Sequence, residues 1–208
     1  IHPMLSTKQI MCRVYSGILV VIWILAPYVI LQHVEIFPVL WIPQLAIDRA
    51  IPVNFQSIWI YYSFYLLLGL VGLTVEKKLF IQYLYTIGWV TAVSHAVFLF
   101  MPNGVLRTDI DFRSAPAIYQ MLASLDLPRN AMPSLHASLS VVAAIAVQFS
   151  QVFPRWSKPL VWLWVLVIFW STIALRQHVS LDLMAGIMIA ATVWWRVSKS
   201  SELKHHRV

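Results

Sequence analysis

The sequence predicts an all-α integral membrane protein, six transmembrane helices in one bundle, with an amphipathic interfacial segment between helices 1 and 2. Three observations predict it. Of the 208 residues 60% are hydrophobic. Only 11% are charged, against about 25% in a soluble domain. The apolar residues also fall in runs of about 20, the length that crosses a hydrocarbon core as a helix. No Gly/Ser linker or charge block divides the chain, so residues 1–208 read as a single membrane-embedded domain.

The six runs cover 14–32, 57–75, 80–101, 134–153, 158–175 and 179–196. The first is too long for the h-region of a signal peptide, and no small-residue cleavage site follows it. Residues 33–56 are amphipathic and carry Pro38, Pro43 and Pro52, which reads as a segment lying in the interface. The stretch 102–133 holds Pro102, Asn103, Gly104, Pro116, Pro128 and Pro133. It is the longest loop, and loops of that length in compact folds are often functional. The fifth run is bounded by Pro159 and Arg176; the sixth starts near His178 and ends at Arg196.

The basic residues orient the bundle. With the N-terminus cytoplasmic, Lys8, Arg13, Lys77, Lys78, Arg155, Lys158, Arg196, Lys199, Lys204 and Arg207 fall inside, and Arg49, Arg107, Arg113, Arg129 and Arg176 outside. Ten against five is the sign of the positive-inside rule. Six spans return the C-terminus to the cytoplasm. Glu35, Asp48, Asp109, Asp111, Asp126 and Asp182 fall on the outer side. The net charge of +7 is thereby absorbed by membrane topology, and no aromatic–basic groove points to nucleic acid. Cys12 is the only cysteine, which leaves no internal disulfide, zinc–thiolate cluster or iron–sulfur site.

On this map three polar clusters share the outer face. The loop after the third helix holds Arg107 and Arg113. The fourth helix opens with Pro133-Ser134-Leu135-His136-Ala137-Ser138. The junction of the last two helices reads Arg176-Gln177-His178-Val179-Ser180-Leu181-Asp182. Ionisable groups at a membrane interface are costly without a role. Pro133 suits the first turn of a helix, and the free amides of that turn, with the helix dipole, suit a phosphate. Ser134 adds a hydroxyl, and His136 follows within reach of a bound ester. His178 and Asp182, spaced i,i+4, share one helix face. A carboxylate there holds one imidazole nitrogen protonated and leaves the other as a nucleophile. Arg107 and Arg176 can hold phosphate oxygens bidentately and stabilise charge in an in-line displacement.

These residues carry a resemblance. Pro133-Ser134-x-His136-Ala137 and His178-x-x-x-Asp182 resemble the second and third motifs of the type 2 phosphatidic acid phosphatase superfamily of lipid phosphatases and phosphotransferases. The segment Asp48 to Tyr62, with Ile51-Pro52, and the run Asp126-x-Pro128-x-Asn130 are similar to the inositol phosphorylceramide synthase-like branch. The resemblance covers roughly residues 48–190. It implies metal-independent phosphoryl transfer on a membrane lipid phosphate, without cofactor. His178 would form a phosphohistidine, Asp182 would orient it, and His136 would protonate the leaving oxygen and then activate the incoming water or alcohol. Arg107, Ser134 and Arg176 would bind phosphate, with Arg113 and Asn130 as secondary candidates. The sequence departs from the family's first motif at Phe100 and Thr108, where it has lysine and proline, and from its third at Thr172, where it has arginine. Hydrolysis of the lipid phosphate is the first expectation. Transfer of phosphate or a phospho-head group to a lipid or sugar alcohol uses the same residues and stays open.

Other functions fit less of the sequence. A bis-histidine haem protein would draw ligands from His95, His136 and His178, and a proton-coupled transporter would use His178 and Asp182 as a relay. Neither accounts for the Pro-Ser-x-His helix start. His95, mid-helix beside Ser94, reads as an interhelical contact. Ser138, Ser140, Ala143 and Ala144 read as a small-residue packing face. Asp109 and Asp111 read as a solvated loop.

Overall fold

The computed structural model describes residues 6–34 and 36–205, with side chains through residue 200. Glu35, Arg207 and the Lys204 side chain lie outside the described residues.

The fold is all-α. Helix α1 runs Thr7–His33, α3 Ile58–Thr74, α4 Lys77–Phe100, α6 Leu135–Phe149, α7 Ser157–Ala174 and α8 Ser180–His205; α2 (Ala46–Ala50) and α5 (Ala117–Leu125) are short. Among the described residues five helices are long and apolar enough to cross a membrane: Thr7–His33, Phe55–Thr74 (a 3-10 turn running into α3), Lys77–Phe100, Ser157–Ala174 and Ser180–Ser200. Their outward residues, among them Ile18, Ile22, Trp59, Leu66, Leu163 and Met188, are apolar and exposed. A water-soluble fold buries such residues; a multi-pass membrane protein turns them to lipid.

The expected sixth span is shorter than its apolar run. Helix α6 has 15 residues and ends at Phe149, where the sequence predicted helix to 153. The cause is Glu76, at the α3–α4 turn. Its carboxylate accepts from the Ser150 hydroxyl at 2.8 Å and the Val152 amide at 3.1 Å, and also from the Gln151 amide. Those groups are thereby drawn out of the helix. At 1.5 Å per residue α6 spans about 22 Å. It occupies the centre of the bundle against α3, α4, α7 and α8. Ser138, Ser140, Ala143 and Ala144 are all buried, as the small-residue pattern predicts, and Leu139, Val142 and Ala146 pack with Leu67, Val71, Val90, Val165 and Ile168.

Helix α1 begins at Thr7, seven residues before its apolar run. Hydropathy set the expected boundary, but a capping box sets the real one: the Gln9 amide donates to the Ser6 hydroxyl at 3.3 Å and the Ser6 amide to the Gln9 side chain at 2.8 Å.

The segment 33–56 is more ordered than the sequence suggests. Leu40–Trp41 (β1) pairs in parallel with Asn103–Gly104 (β2), Leu40 opposite Asn103 and Trp41 opposite Gly104. The long loop 102–133 thus holds a strand and helix α5. Gly104 is required there, because a Cβ would collide with the Pro128 carbonyl and the Trp41 ring. The Asp126-x-Pro128-x-Asn130 run docks on the end of α1. The Asp126 carboxylate accepts from the Tyr28 hydroxyl at 2.7 Å and the Gln32 amide group at 2.8 Å, and the Asn130 side chain donates to the Tyr28 carbonyl at 2.9 Å. Asn130 has φ 56°, a left-handed conformation that asparagine adopts more readily than most residues.

Candidate active site

The ends of three central elements build the site: the N-terminus of α6, the C-terminus of α7 and the N-terminus of α8. Helix α7 stops in a Schellman turn. The Arg176 amide donates to the Ile173 carbonyl at 2.9 Å and the Gln177 amide to the Thr172 carbonyl at 3.0 Å. Arg176 sits in the left-handed position, φ 56°. The His178 amide also donates to the Thr172 carbonyl, at 3.3 Å. The turn that ends one helix therefore presents the imidazole before the next begins.

Helix α8 starts at Ser180, so His178 precedes it and shares no helix face with Asp182. The expected contact forms by another route. Asp182, in the first turn, accepts from the Val179 amide at 3.1 and 3.2 Å on its two oxygens, the acidic half of a capping box. That folds the entering chain back and brings His178 Nδ1 to 3.1 Å from Asp182 Oδ2. His178 is 6% exposed and Asp182 0%.

The α6 start differs from expectation: Pro133, expected in the first turn, lies outside the helix, where Ser134 is the N-cap, and the Met132–Pro133 peptide bond is cis. The Ser134 hydroxyl accepts from the Ala137 amide at 3.2 Å, while the Leu135 and His136 amides belong to the first turn, which has no partners within a helix. His136 then faces His178: Nδ1 of one lies 3.3 Å from Nε2 of the other. The Asp182 carboxylate accepts only, so Nδ1 of His178 carries the proton. Nε2 then offers its lone pair to His136 Nδ1–H. His136 Nε2 is buried without a partner. The His136 ring packs against Tyr61 and Phe64, with ring centres 4.4 and 4.6 Å away.

The arginines are placed differently from one another. Arg107 donates to the Gln177 side chain at 2.6 Å and the Asp126 carbonyl at 3.0 Å, and its Nε is buried without a partner. Arg176 is 5% exposed and heavily engaged. It donates to Asp109 Oδ2 at 2.6 Å and to the carbonyls of Ile51, Ile173 and Asp48 at 3.0, 3.1 and 3.3 Å. Those bonds use four of the five N–H donors a guanidinium has. Asp109, expected in a solvated loop, is the ion-pair partner of Arg176 and is still 39% exposed at its side chain. Arg113 is exposed, with its amide bonded to Asp111. His95 is on α4, buried, with Nε2 unpartnered, and its ring lies 6.2 Å from Phe98.

The roles of four supporting residues escape sequence reasoning. Asp48 accepts from the Ser180 amide at 2.8 Å, from the Ser180 hydroxyl, and from the Leu45 amide at 2.7 Å, so it ties segment 33–56 to the start of α8. Tyr61 joins its hydroxyl to Asp126 at 3.3 Å while its ring covers His136. Tyr119 donates to the Leu175 carbonyl at 2.9 Å beneath the Schellman turn; burial pushes its phenol up to about 12, so it stays a donor. Gly186 lets α8 approach α6: a Cβ there would lie 2.5 Å from the Ser134 carbonyl and 3.1 Å from Ala137 Cβ. Asp48 and Tyr61 lie in the segment Asp48 to Tyr62 that carried part of the resemblance, but their contacts, like that of Tyr119, are with residues distant in sequence.

Among the described residues no group of three or more His, Cys, Asp or Glu side chains is arranged to hold a metal ion. No family model matches the chain, and no curated protein sequence matches it.

Proposed function

We propose that the chain hydrolyses a membrane lipid phosphate through a phosphohistidine on His178, as the resemblance to type 2 phosphatidic acid phosphatases implies. One observation carries the reading: His178 Nε2 faces His136 Nδ1 at 3.3 Å while Asp182 holds the opposite nitrogen at 3.1 Å. A nucleophile, its orienting carboxylate and an acid are aligned in that order.

The Nε2 lone pair attacks phosphorus, and the ester P–O bond breaks in line with it. His136, protonated in the substrate complex by the proximity of the phosphate charge, gives its Nδ1 proton to the leaving lipid oxygen. It then takes a proton from water as that water attacks the phosphorus, and the P–N pair returns to His178. Asp182 keeps its hydrogen bond throughout, so the positive charge on His178 is always balanced. The first-turn amides of α6 and the unpartnered Nε–H of Arg107 are donors suited to the phosphate oxygens. Arg176 acts by holding the turn that presents His178. The reaction requires no metal.

In the membrane the termini are cytoplasmic and the histidines lie at the outer face, by the distribution of lysine and arginine. Helix α6 completes six crossings. Its shortness is tolerated because its neighbours shield it from lipid.

Incubation of the purified chain with labelled phosphatidic acid or a polyprenyl phosphate tests the proposal. Phosphate release insensitive to EDTA and blocked by vanadate is expected, with an acid-labile phosphoenzyme absent from His178→Ala. A fully active His178→Ala variant would falsify it.

A further inference from the structure

We propose that the groove between α1 and α4, at the end of the bundle away from the histidines, binds one anionic phospholipid. The headgroup sits among Lys8, Arg13 and Lys77, and an acyl chain runs along Trp23, Leu84 and Trp89. The groove measures about 1150 Å³, somewhat more than the roughly 300–1,000 Å³ usual for small-molecule sites.

Its two ends differ in chemistry as the two ends of a phospholipid do. Three cations line the mouth. The one carboxylate beside them, Glu76, is engaged by Ser150, Gln151 and Val152. Arg13 is the informative residue. It is 6% exposed, on a helix whose other described residues mostly face outward. Its guanidinium lies 4.7 Å over the Phe80 ring and donates to the Gly72 carbonyl at 3.1 Å. Among the described residues no carboxylate lies within ion-pair distance of it. A guanidinium held on an apolar wall, with Glu76 the nearby charge but not in ion-pair contact with it, is suited to an anion arriving from the membrane. Further along, the Trp23 indole donates to the Gly88 carbonyl at 3.3 Å, and the wall beyond the cations is apolar and aromatic.

This site is separate from the histidines. Ser134 and Ser150 cap opposite ends of α6, about 24 Å apart, and Ser150 bonds Glu76 at the groove. The inference therefore stands independently of the proposed chemistry. It fits an inner leaflet, where anionic lipids gather.

Cys12 lines the groove, is exposed and is the only cysteine, so it reports occupancy in the native chain. Its modification by N-ethylmaleimide is timed in vesicles of palmitoyl-oleoyl phosphatidylcholine, with and without the phosphatidylglycerol analogue. The anionic lipid is expected to slow modification about tenfold. In K8Q/K77Q, where both replaced residues are exposed, most of that slowing is expected to be lost while thermal unfolding is unchanged. Glycerol 3-phosphate added to phosphatidylcholine vesicles leaves the rate unchanged. Equal rates in the two vesicles overturn the proposal. So does equal slowing in parent and variant, which marks a general effect of a negative surface. Protection by glycerol 3-phosphate would make this a phosphate site and not a lipid site.

Discussion

The amide of Ser134 donates to the carbonyl of Asp182 at 3.0 Å. This one backbone bond joins the cap of α6 to the first turn of α8, and so joins the two polar motifs. His136 lies two residues from one end of it, and His178 is bonded to the side chain at the other. The distance between the imidazoles is therefore set by how closely α6 and α8 approach.

Gly186 controls that approach. An added Cβ would meet the Ser134 carbonyl at 2.5 Å and the Ser138 amide nitrogen at 3.2 Å, and backbone cannot yield as a flexible side chain does. Gly186→Ala is expected to push α8 outward, at a cost of about 1–3 kcal/mol from overpacking. A displacement of about 1 Å at a reacting pair lowers turnover roughly 100-fold. Phosphate release and thermal unfolding, measured on the same preparation in detergent, check both effects. Unchanged turnover in Gly186→Ala would show that the helix contact does not set the histidine spacing.

Arg176 serves the Schellman turn in two opposing ways, and two substitutions separate them. Its φ of 56° is unfavourable for any residue with a Cβ, whereas its side chain clasps Asp109, Asp48, Ile51 and Ile173. Both Arg176→Ala and Arg176→Gly lose the clasp and should be destabilised. The glycine variant should be the more stable of the two by about 1 kcal/mol, since left-handed backbone costs glycine nothing. In a chain of this size that is a difference of about 2–4 °C in Tm. Equal melting temperatures would mean that the turn relaxes once the clasp is gone.

At the other end of the bundle Glu76 makes stability depend on pH. Burial pushes its carboxyl up, but hydrogen bonds from its own amide and from Ser150, Gln151 and Val152 outweigh burial and hold it below the ordinary carboxylate value. A depressed folded-state value adds stability that is complete above the unfolded value, about 4.3, and is lost as pH falls through the folded one. Parent and Glu76→Gln should therefore differ most in Tm at neutral pH and converge below pH 4 or so. A constant difference across that range would assign the effect to packing.

Much of this protein was legible before any coordinates. The apolar runs locate the helices because a backbone in hydrocarbon must satisfy its own hydrogen bonds, which leaves a helix as the simplest solution. The pairing of His178 with Asp182 was legible too, since a separation of four residues brings side chains together in a helix and, as found here, in the capped turn before one. What the sequence could not fix was every contact made across the fold. Arg176 stands two residues before His178 and reads as a phosphate ligand, yet its guanidinium is engaged by Asp109 and by carbonyls from the segment before α3. The parallel pair Leu40–Trp41 and Asn103–Gly104 joins backbone about sixty residues apart, and backbone hydrogen bonds carry no side-chain signature. The length of α6 was decided by Glu76, on another turn. Local periodicity is written in side chains; which donor meets which distant acceptor depends on how the helices pack, and only the tertiary structure decides that.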